Sequence, residues 1–418
     1  MARILVVGSG GREHALAWKL AQEAEVWATP GNPGIRGEAE TFDVKANDAA
    51  GLAELAKRGE VDAVLFGPED PLIAGCADHL RGDGIAVFGP GKDAARLEGS
   101  KAFSKDLMRS ARVPTASFGT FRDPEAALGY VQSRADKGRQ VVVKASGAAL
   151  GKGVVVCHSP DEAEDAIQMM LVDRELGEAG SEVVIEDRLV GREFSLMTLV
   201  SNGEIRSLPV AQDYKRALDG DRGPNTGGMG SYAPADWVST ALIRETEERV
   251  VRPILAALKA KGMDYRGVLF SGLLVEEDVP YCLEYNVRFG DPETQSIVRC
   301  LGNGFADAIL ACARGDDIAP IQTLDHHAVT VVLASGGYPG RVAKGTKIAL
   351  GPMPEGVVVF HAGTSIDGDN LVSAGGRVLG ISAIGSSTEA ARDLAYQGVT
   401  AVQFDRAHFR HDIGHTLN

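Results

Sequence analysis

The first hundred residues alternate short apolar runs with amphipathic stretches, and this alternation limits the fold more than any other feature of the chain. The pattern runs through residues 4–7, 14–22, 61–66, 72–80 and 86–88. Strands that alternate with helices form βαβ units around a parallel sheet. The sequence therefore predicts an α/β domain over residues 1–100.

Two more domains are predicted after this one, because 418 residues exceed what one core can hold. Residues 101–320 open with helical patterns and continue into apolar strands at 140–145, 154–157 and 183–186. After residue 320, short strands separated by glycine-rich turns, with one helix at 388–396, indicate a small α+β domain over 321–418.

The segment LEYNVRFGDPETQ carries the clearest chemical pattern. If residues 281–287 form a strand, Glu284, Asn286 and Arg288 share one face, because side chains alternate along a strand. A carboxylate beside an amide oxygen suits Mg²⁺ that is also held by phosphates, and a guanidinium suits a phosphoryl group in transfer. We predict a catalytic nucleotide site here, with Glu284 and Asn286 as metal ligands.

Three glycine-containing loops follow predicted strands of the first domain, where α/β sheets place their ligands. The first, GSGGRE, fails as a dinucleotide-binding motif because Glu13 stands where the third glycine belongs. Together the loops predict a pocket for a phosphorylated sugar, with structural turns as the alternative. The candidate substrate-binding residues are Gly10, Gly11, Asn32, Gly34, Glu69 and Asp70.

The glycine-rich segment KASGAALGKG joins two predicted strands and contains Lys144, Gly151, Lys152 and Gly153. Small residues let a backbone close over phosphates while lysines neutralise their charge, so the segment predicts nucleotide binding. An exposed hairpin loop is the alternative. Glu186 at the end of the next strand suits an adenosine site.

A long polar segment over residues 213–231 contains QDYKR, with Asp213 and Lys215, and the string GPNTGGMG. Its charge and mobile backbone predict a lid that closes over reactants, and plain disorder is the competing interpretation.

Composition excludes several classes of protein. The net charge of −14 disfavours nucleic acid as a partner. No apolar run approaches the roughly 20 residues of a membrane helix, and no signal peptide is evident, so we expect a cytoplasmic protein that does not bind membranes. The five scattered cysteines and nine histidines form neither a zinc pattern nor a hydrolytic triad. We expect small-molecule substrates and a monomer, with a weak dimer as the alternative.

A series of strings along nearly the whole chain resembles the glycinamide ribonucleotide synthetase family of ATP-grasp enzymes. The strings are VVGSGGREHAL, PGNPG, FGPEDPL, SKAFSKDLM, GKGVVV, QDYKR, GPNTGGMG, EYNVRFGDPETQ, FHAGT and GGRVLG. The resemblance implies a Rossmann-like N-terminal domain, an ATP-grasp body with a mobile subdomain at about 114–189, and a small C-terminal domain. It implies ATP-dependent ligation of glycine to 5-phosphoribosylamine through a glycyl phosphate, in purine biosynthesis.

The resemblance also implies residue roles. ATP and Mg²⁺ or Mn²⁺ are the expected cofactors. The implied nucleotide contacts are Lys105, Lys144, Gly151, Lys152, Gly153, Glu186, Leu189 and Glu193. The implied catalytic residues are Arg288, Asp291 and Lys215, with Asp213, Pro292 and Glu293 beside the substrates.

One string departs from the family pattern. The glycine-rich loop of the family reads KADGLAAGKG, whereas Ser146, Ala148 and Leu150 stand here. Three alternatives remain at this point: another ATP-grasp ligase or carboxylase acting on a purine intermediate, a nicotinamide-dependent oxidoreductase, and a nucleotide-binding module without catalysis. Glu13 disfavours the oxidoreductase, and the set of Glu284, Asn286 and Arg288 disfavours the module.

Overall fold

The computed structural model describes residues 1–147 and 153–415, and it opens with the predicted parallel sheet. The strand order is β3-β2-β1-β4-β5. Its strands are β1 Arg3–Gly8, β2 Glu25–Pro30, β3 Glu40–Thr41, β4 Ala63–Phe66 and β5 Val87–Phe88. Its helices are α1 Gly11–Leu20, α2 Ala49–Arg58, α3 Asp70–Ala74, α4 Cys76–Gly82 and α5 Lys92–Gly99. The α/β prediction for this part of the chain is confirmed.

The order of these strands brings the three predicted loops together. Central strand β1 pairs in parallel with β2 on one side and β4 on the other. Because parallel strands end at one edge of the sheet, the loops that follow all three strands lie side by side there. The sheet interior is apolar and fully buried, from Leu5 and Val7 to Phe66.

The next unit has a core of its own. It follows helix α6, Lys101–Ala111, and its sheet has the order β6-β9-β7-β8. Its elements are β6 Phe118–Phe121, α7 Pro124–Ala135, β7 Val141–Ala145, β8 Val154–Cys157, α8 Pro160–Ile167 and β9 Val183–Asp187. Val143, Met170 and Ile185 pack in a cluster that is separate from the cores of the rest of the chain. This unit coincides with the subdomain that we predict to be mobile.

The body of the molecule is an antiparallel sheet of order β11-β10-β16-β17. Its strands are β10 Arg192–Ser201, β11 Glu204–Ser207, β16 Gly267–Glu276 and β17 Val279–Asn286, and the segment between them contains β12 Gln212–Asp213, β13 Arg216–Leu218, β14 Arg222–Asn225 and β15 Gly230–Ala233. The helices of this region are α9 Thr240–Thr246, α10 Arg252–Ala260, α11 Glu293–Ile297 and α12 Phe305–Arg314. Among the residues described, no helix is long and apolar enough to cross a bilayer.

The last sheet crosses the domain boundary that we predict at residue 321. Its order is β12-β15-β18-β23-β20, so two strands from the central region complete it. The C-terminal elements are β18 His327–Ala334, β19 Ala349–Leu350, β20 Val357–His361, β21 Thr364–Asp367, β22 Asn370–Ser373, β23 Arg377–Gly385, α13 Thr388–Thr400 and β24 Val402–Gln403. Residues 213–231 therefore form ordered strands and turns in this structure, so the interpretation of plain disorder is wrong, whereas closure of the segment as a lid stays a prediction.

A buried histidine, His14, and a half-buried one, His361, join the first domain to the last. The backbone N–H of His361 donates to Nδ1 of His14 over 2.7 Å, which requires an unprotonated Nδ1. Burial, together with the neighbouring His361, lowers the pKa of His14 from 6.5 to about 3. Burial lowers the pKa of His361 to about 4. Protonation of either ring opposes the folded state.

These pKa shifts predict how stability depends on pH. Between pH 6.5 and about 4 the unfolded chain binds protons that the folded rings exclude, so the free energy of unfolding falls as pH falls, by up to about 1.4 kcal/mol per pH unit for each ring. His14→Asn keeps an acceptor near the Nδ1 position but removes one titrating group. We expect a shallower pH dependence of urea unfolding in this window. His79→Asn, at an exposed position, is the matched control, and an unchanged slope in the His14 variant contradicts the prediction.

Candidate active site

The strand that we predict to carry the metal ligands, called the metal strand below, is β17. It ends at Asn286, one residue earlier than the predicted range 281–287. Glu284 and Asn286 are the last alternate residues of β17, so both lie on one face. Glu284 pairs across the sheet with Gly272, where a Cβ atom would lie only 3.2 Å from Cγ of Glu284. A glycine at that position therefore leaves room for the carboxylate. Arg288 lies beyond the strand, so its direction depends on its contacts rather than on strand alternation.

Two lysines from different segments share one carboxylate beside this strand. Nζ of Lys105 lies 3.0 Å from Oε2 of Glu186, and Nζ of Lys144 lies 2.9 Å from its Oε1. All three side chains are buried. Burial opposes ionisation of Glu186, but the two ammonium groups outweigh it and lower the pKa of the carboxyl. The predicted nucleotide contacts Lys105, Lys144 and Glu186 thus form one compact cluster with an excess of positive charge.

A second ion pair faces the same space. Nζ of Lys215 lies 2.5 Å from Oε2 of Glu193. Burial would lower the pKa of Lys215, but the carboxylates of Glu193 and Asp213 raise it well above the ordinary value. The carboxylates of Glu193 and Asp213 therefore favour the cationic form of Lys215.

The half-buried carboxyl group of Asp213 and the buried one of Glu293 both interact with this lysine. Burial raises the pKa of Asp213 to about 7 despite Lys215, and the negative charge of Glu293 adds to the shift. Burial also raises the pKa of Glu293, whose Oε1 accepts a hydrogen bond from Ser195 over 3.0 Å. Two carboxyl groups that repel each other in a buried space favour the binding of a cation between them.

Lysines surround the predicted metal ligand. Burial opposes ionisation of Glu284, but Lys215, Lys144 and Lys101 lower the pKa of its carboxyl, in that order. The sequence interpretation did not single out Lys101. Burial lowers the pKa of this lysine while Glu284 raises it. An ionised carboxylate beside an amide oxygen is a donor set that fits Mg²⁺, and the surrounding lysines fit phosphate oxygens.

Arg288 joins the metal strand to the N-terminal domain through two carboxylates. Its Nε lies 3.2 Å from Oε2 of Glu69, and its Nη2 lies 2.8 Å from Oε1 of Glu98. Glu98 also accepts the backbone N–H of Val287 over 2.8 Å. The predicted phosphoryl clamp and the predicted substrate residue Glu69 are therefore in direct contact, although 219 residues separate them.

The three N-terminal loops lie together, as predicted. A side chain of the loops themselves, Glu13, fills the space between them. Oε2 of Glu13 accepts the N–H of Gly10 over 2.5 Å. A Cβ atom on Gly67 would lie 2.1 Å from Oε1 of Glu13, so the first and third loops touch. The carboxylate of Glu13 thus occupies the space over the glycine turn that a dinucleotide would take in a fold of this kind. This position is a physical reason why the oxidoreductase alternative fails.

Asn32 connects these loops to the C-terminal domain. Its Nδ2 donates to the carbonyl oxygens of Ser9 over 2.9 Å and His361 over 2.8 Å. Its Oδ1 accepts the N–H groups of Gly34 and Ile35. With its side chain buried and engaged in four internal bonds, Asn32 braces the pocket wall. Asp70 is exposed at the start of α3.

Part of the glycine-rich segment lies outside the described residues, including the predicted contacts Gly151 and Lys152 and the variant positions Ala148 and Leu150. The carbonyl of Gly153 accepts the N–H of Ala145 over 2.7 Å. Ser146, the third variant position, is buried, and its Oγ accepts the N–H of Ala102 over 3.1 Å. Its carbonyl accepts the N–H of Lys101 over 2.8 Å. A serine here ties the loop to the start of α6, the helix that carries Lys105.

Several charged groups of the site were not singled out by the sequence interpretation, although most of them stand in strings that it quoted. They are Arg12, Glu98, Lys101 and Arg377. The amphipathic period of α5 and α6 explains which residues are buried, but no local spacing shows that a helix end faces a strand end almost two hundred residues away. Leu189 and Pro292 lie beside predicted site residues, just after β9 and just before α11.

The phosphoribosylglycinamide synthetase family matches the chain in three consecutive pieces. The N domain of the family matches residues 2–98, its ATP-grasp (A) domain matches residues 99–294, and its C domain matches residues 328–416. These three pieces cover most of the chain.

Individual relatives match over their full length. The phosphoribosylamine–glycine ligase of Chlorobaculum tepidum is 42% identical over 422 residues, which span 99% of this chain and 99% of that protein. The enzyme of the same name from Rhizobium meliloti is 42% identical over 417 residues, with 99% and 98% covered. A bifunctional purine biosynthetic protein of Schizosaccharomyces pombe is 42% identical over 98% of this chain and 53% of its own length.

Solved structures agree in fold. The crystal structure of phosphoribosylamine–glycine ligase from Thermotoga maritima matches with a TM-score of 0.86 and 35% identity, covering 98% of this chain and 100% of that chain. A biotin carboxylase from Campylobacter jejuni matches with a TM-score of 0.74 over 97% of this chain and 92% of that chain. Its 15% identity makes it a likeness of fold alone.

Proposed function

This chain belongs to the phosphoribosylglycinamide synthetase family, and from that premise we propose that it joins glycine to 5-phosphoribosylamine while ATP is cleaved to ADP and phosphate. The products are glycinamide ribonucleotide, ADP and phosphate, in a step of de novo purine synthesis. One observation of the site supports this most: the lysine cluster and metal strand meet the N-terminal loops through the contact of Arg288 with Glu69. The proposal therefore places the nucleotide site next to the sugar-phosphate site.

The nucleotide is assigned to the cluster around Glu186. Lys105 and Lys144 lie against its carboxylate, 3.0 and 2.9 Å away, and are available to phosphate oxygens. The ribose hydroxyls are assigned to Glu193 and the adenine edge to the backbone near Leu189. A divalent ion, Mg²⁺ or Mn²⁺, is assigned to Glu284 and Asn286, where it would neutralise phosphate charge during transfer.

Glycine is assigned to the carboxyl pair of Asp213 and Glu293. An ammonium group between two carboxyl groups relieves their repulsion. The glycine carboxylate then points away from the pair, towards the cationic side of the site where Lys215 and Arg288 lie. The opposite charges at the two ends of glycine thus set its orientation.

In the first step, a carboxylate oxygen of glycine attacks the γ-phosphorus of ATP. An oxygen–phosphorus bond forms, the bond to the β-phosphate oxygen breaks, and ADP leaves. In the second step, the sugar amine attacks the carbonyl carbon of the acyl phosphate, phosphate leaves, and the amine loses a proton. Lysines and Arg288 stabilise the charge that develops on phosphoryl oxygens, so no protein nucleophile is required. Exclusion of water protects the acyl phosphate.

ADP release tests this proposal when substrates are omitted one at a time. We expect sustained ADP release over many turnovers to require both glycine and freshly prepared 5-phosphoribosylamine, because without an amine to accept it the acyl phosphate accumulates after one turnover. Serine in place of glycine is the matched control, since its side chain needs extra space between Asp213 and Glu293. ADP release with bicarbonate in the absence of glycine would favour the carboxylase alternative and contradict the proposal.

A further inference from the structure

Arg377 of the C-terminal domain contacts two segments of the active site at once. It is the first residue of β23. Its Nη1 donates to the carbonyl oxygen of Gly227 over 2.5 Å and to that of Asp291 over 2.7 Å. Its Nη2 donates to Oδ2 of Asp291 over 2.9 Å. One guanidinium therefore joins the glycine-rich segment GPNTGGMG to the segment that follows the metal strand.

The first of these contacts leads directly to Lys215. Gly227 is next to Thr226, whose N–H and Oγ1 both donate to the carbonyl of Lys215 over 2.8 Å. The N–H of Gly228 in turn donates to Oγ1 of Thr226 over 2.9 Å. Gly227 and Lys215 are thus fixed to each other by a short set of hydrogen bonds, and a shift of Gly227 displaces the backbone of Lys215.

The second contact fixes Asp291. Its Oδ2 is bound by Arg377, and its Oδ1 accepts a hydrogen bond from Gln295 over 2.7 Å. Both carboxylate oxygens are therefore engaged and the side chain has one orientation. Burial opposes the ionisation of Asp291, but Arg377 is the largest influence that lowers the pKa of its carboxyl.

The two segments that Arg377 joins also pack closely against each other. Gly228 has a φ of +110°, and a Cβ atom there would lie 2.3 Å from Cδ of Pro292. The two segments are therefore in direct contact, and the guanidinium of Arg377, which belongs to the C-terminal domain, binds both of them. Lysine cannot replace it, because a single ammonium lacks the planar fork that reaches two carbonyls and a carboxylate together.

We infer that Arg377 is a positioning residue for the ligase reaction, which sets Asp291 and Lys215 at a fixed separation from outside the ATP-grasp body. This inference rests on the proposed function. It makes the C-terminal domain part of the catalytic apparatus, because its sheet orients Asp291 and Lys215, the two residues to which the proposed function gives catalytic roles. Displacement of such groups by about 1 Å lowers rates on the order of 100-fold.

A second arginine supplies a matched control, because it joins the same two domains away from these groups. Nη2 of Arg299 donates to the carbonyl of Gly356 over 2.7 Å, and its guanidinium lies 4.9 Å from the ring centroid of Trp18. If Arg377 only held the domains together, removal of either arginine would have similar consequences for turnover.

The experiment compares Arg377→Ala, Arg377→Lys and Arg299→Ala by kcat, by KM for glycine and by thermal unfolding. We expect kcat to fall about 100-fold in Arg377→Ala and by a smaller factor in Arg377→Lys. Arg299→Ala should keep the kcat of the unmodified protein even if its unfolding temperature falls further. Added guanidinium ion at low, non-denaturing concentration should restore part of the turnover of Arg377→Ala, since 21% of the Arg377 side chain is exposed.

Two outcomes overturn the inference: unchanged kcat in both Arg377 variants, or equal losses of kcat in Arg377→Ala and Arg299→Ala without rescue by guanidinium. Either result leaves the proposed function intact, provided that the unmodified protein still releases ADP with glycine and 5-phosphoribosylamine. If the unmodified protein fails that assay, the proposed function is wrong. The assay of the unmodified protein therefore distinguishes a failure of the inference about Arg377 from a failure of the proposed function.

Discussion

Glu284→Gln should lower turnover by at least about 100-fold at limiting Mg²⁺, and high Mg²⁺ should restore part of it. The substitution keeps the shape of the side chain but removes the negative charge that attracts a divalent ion. Lys215, Lys144 and Lys101 surround this carboxylate and lower its pKa. Without this carboxylate, the three lysines repel the metal more strongly. Steady-state assays over a range of Mg²⁺ concentrations measure the effect, and Asn286→Ala should act in the same direction with a smaller loss.

Glu277→Gln is the matched control for this prediction. Glu277 is exposed in the turn that precedes the same strand, so the substitution changes net charge equally without reaching the site. It should leave the Mg²⁺ dependence unchanged. Normal activity of Glu284→Gln at limiting Mg²⁺ would refute the assignment of Glu284 as a ligand.

Arg288→Lys should lower kcat by about 100- to 1,000-fold while the affinity for ATP changes little. The guanidinium contacts Glu69 and Glu98 with separate nitrogens, which an ammonium cannot do while also reaching a phosphoryl group. The loss should therefore appear in the chemical step. Single-turnover measurements of ADP formation, together with equilibrium titration of ATP, separate the two quantities.

Arg266→Lys is the corresponding control. Arg266 forms a similar ion pair with Asp264 at 2.7 Å, outside the site. Arg266→Lys should change neither kcat nor the affinity for ATP. If Arg288→Lys weakens ATP binding as much as it lowers kcat, Arg288 contributes to ground-state binding and its predicted role is wrong.

Local patterns were sufficient where neighbours in sequence are neighbours in space. The βαβ alternation predicted the N-terminal sheet, and the spacing of Glu284 and Asn286 predicted their common face. The glycine-rich segments after the N-terminal strands also lie together, because parallel strands end at one edge. In each case the regular geometry of a strand, a helix or a parallel sheet fixes where the side chains or loops lie.

Contacts between distant segments could not be obtained in this way. Strands β12 and β15 complete the C-terminal sheet, although nearly a hundred residues separate β15 from β18. Sequence periodicity does not indicate which sheet a strand of two to four residues joins. For the same reason the sequence left disorder open as an interpretation of residues 213–231: many of their stabilising bonds come from the C-terminal segment. For example, Arg410 donates to the carbonyl of Arg216 over 3.0 Å.

The glycine-rich segment KASGAALGKG shows what sequence reasoning can and cannot provide. Loss of the usual aspartate at Ser146 leaves open from sequence how the loop is held, whereas the structure shows that its Oγ accepts the N–H of Ala102. Hydrogen bonds to backbone groups leave little trace in a side-chain pattern. The fold was therefore more accessible to sequence reasoning than the connections that hold the site together.

The transfer of oxygen from glycine to phosphate tests the central claim most directly. The protein is incubated with ATP, 5-phosphoribosylamine and glycine labelled with ¹⁸O in its carboxylate, and the released phosphate is analysed by mass spectrometry. Formation of a glycyl phosphate at the site between Glu284 and Lys215 predicts that each phosphate released carries one labelled oxygen. Phosphate without the label, released while the amide product forms, would contradict the account.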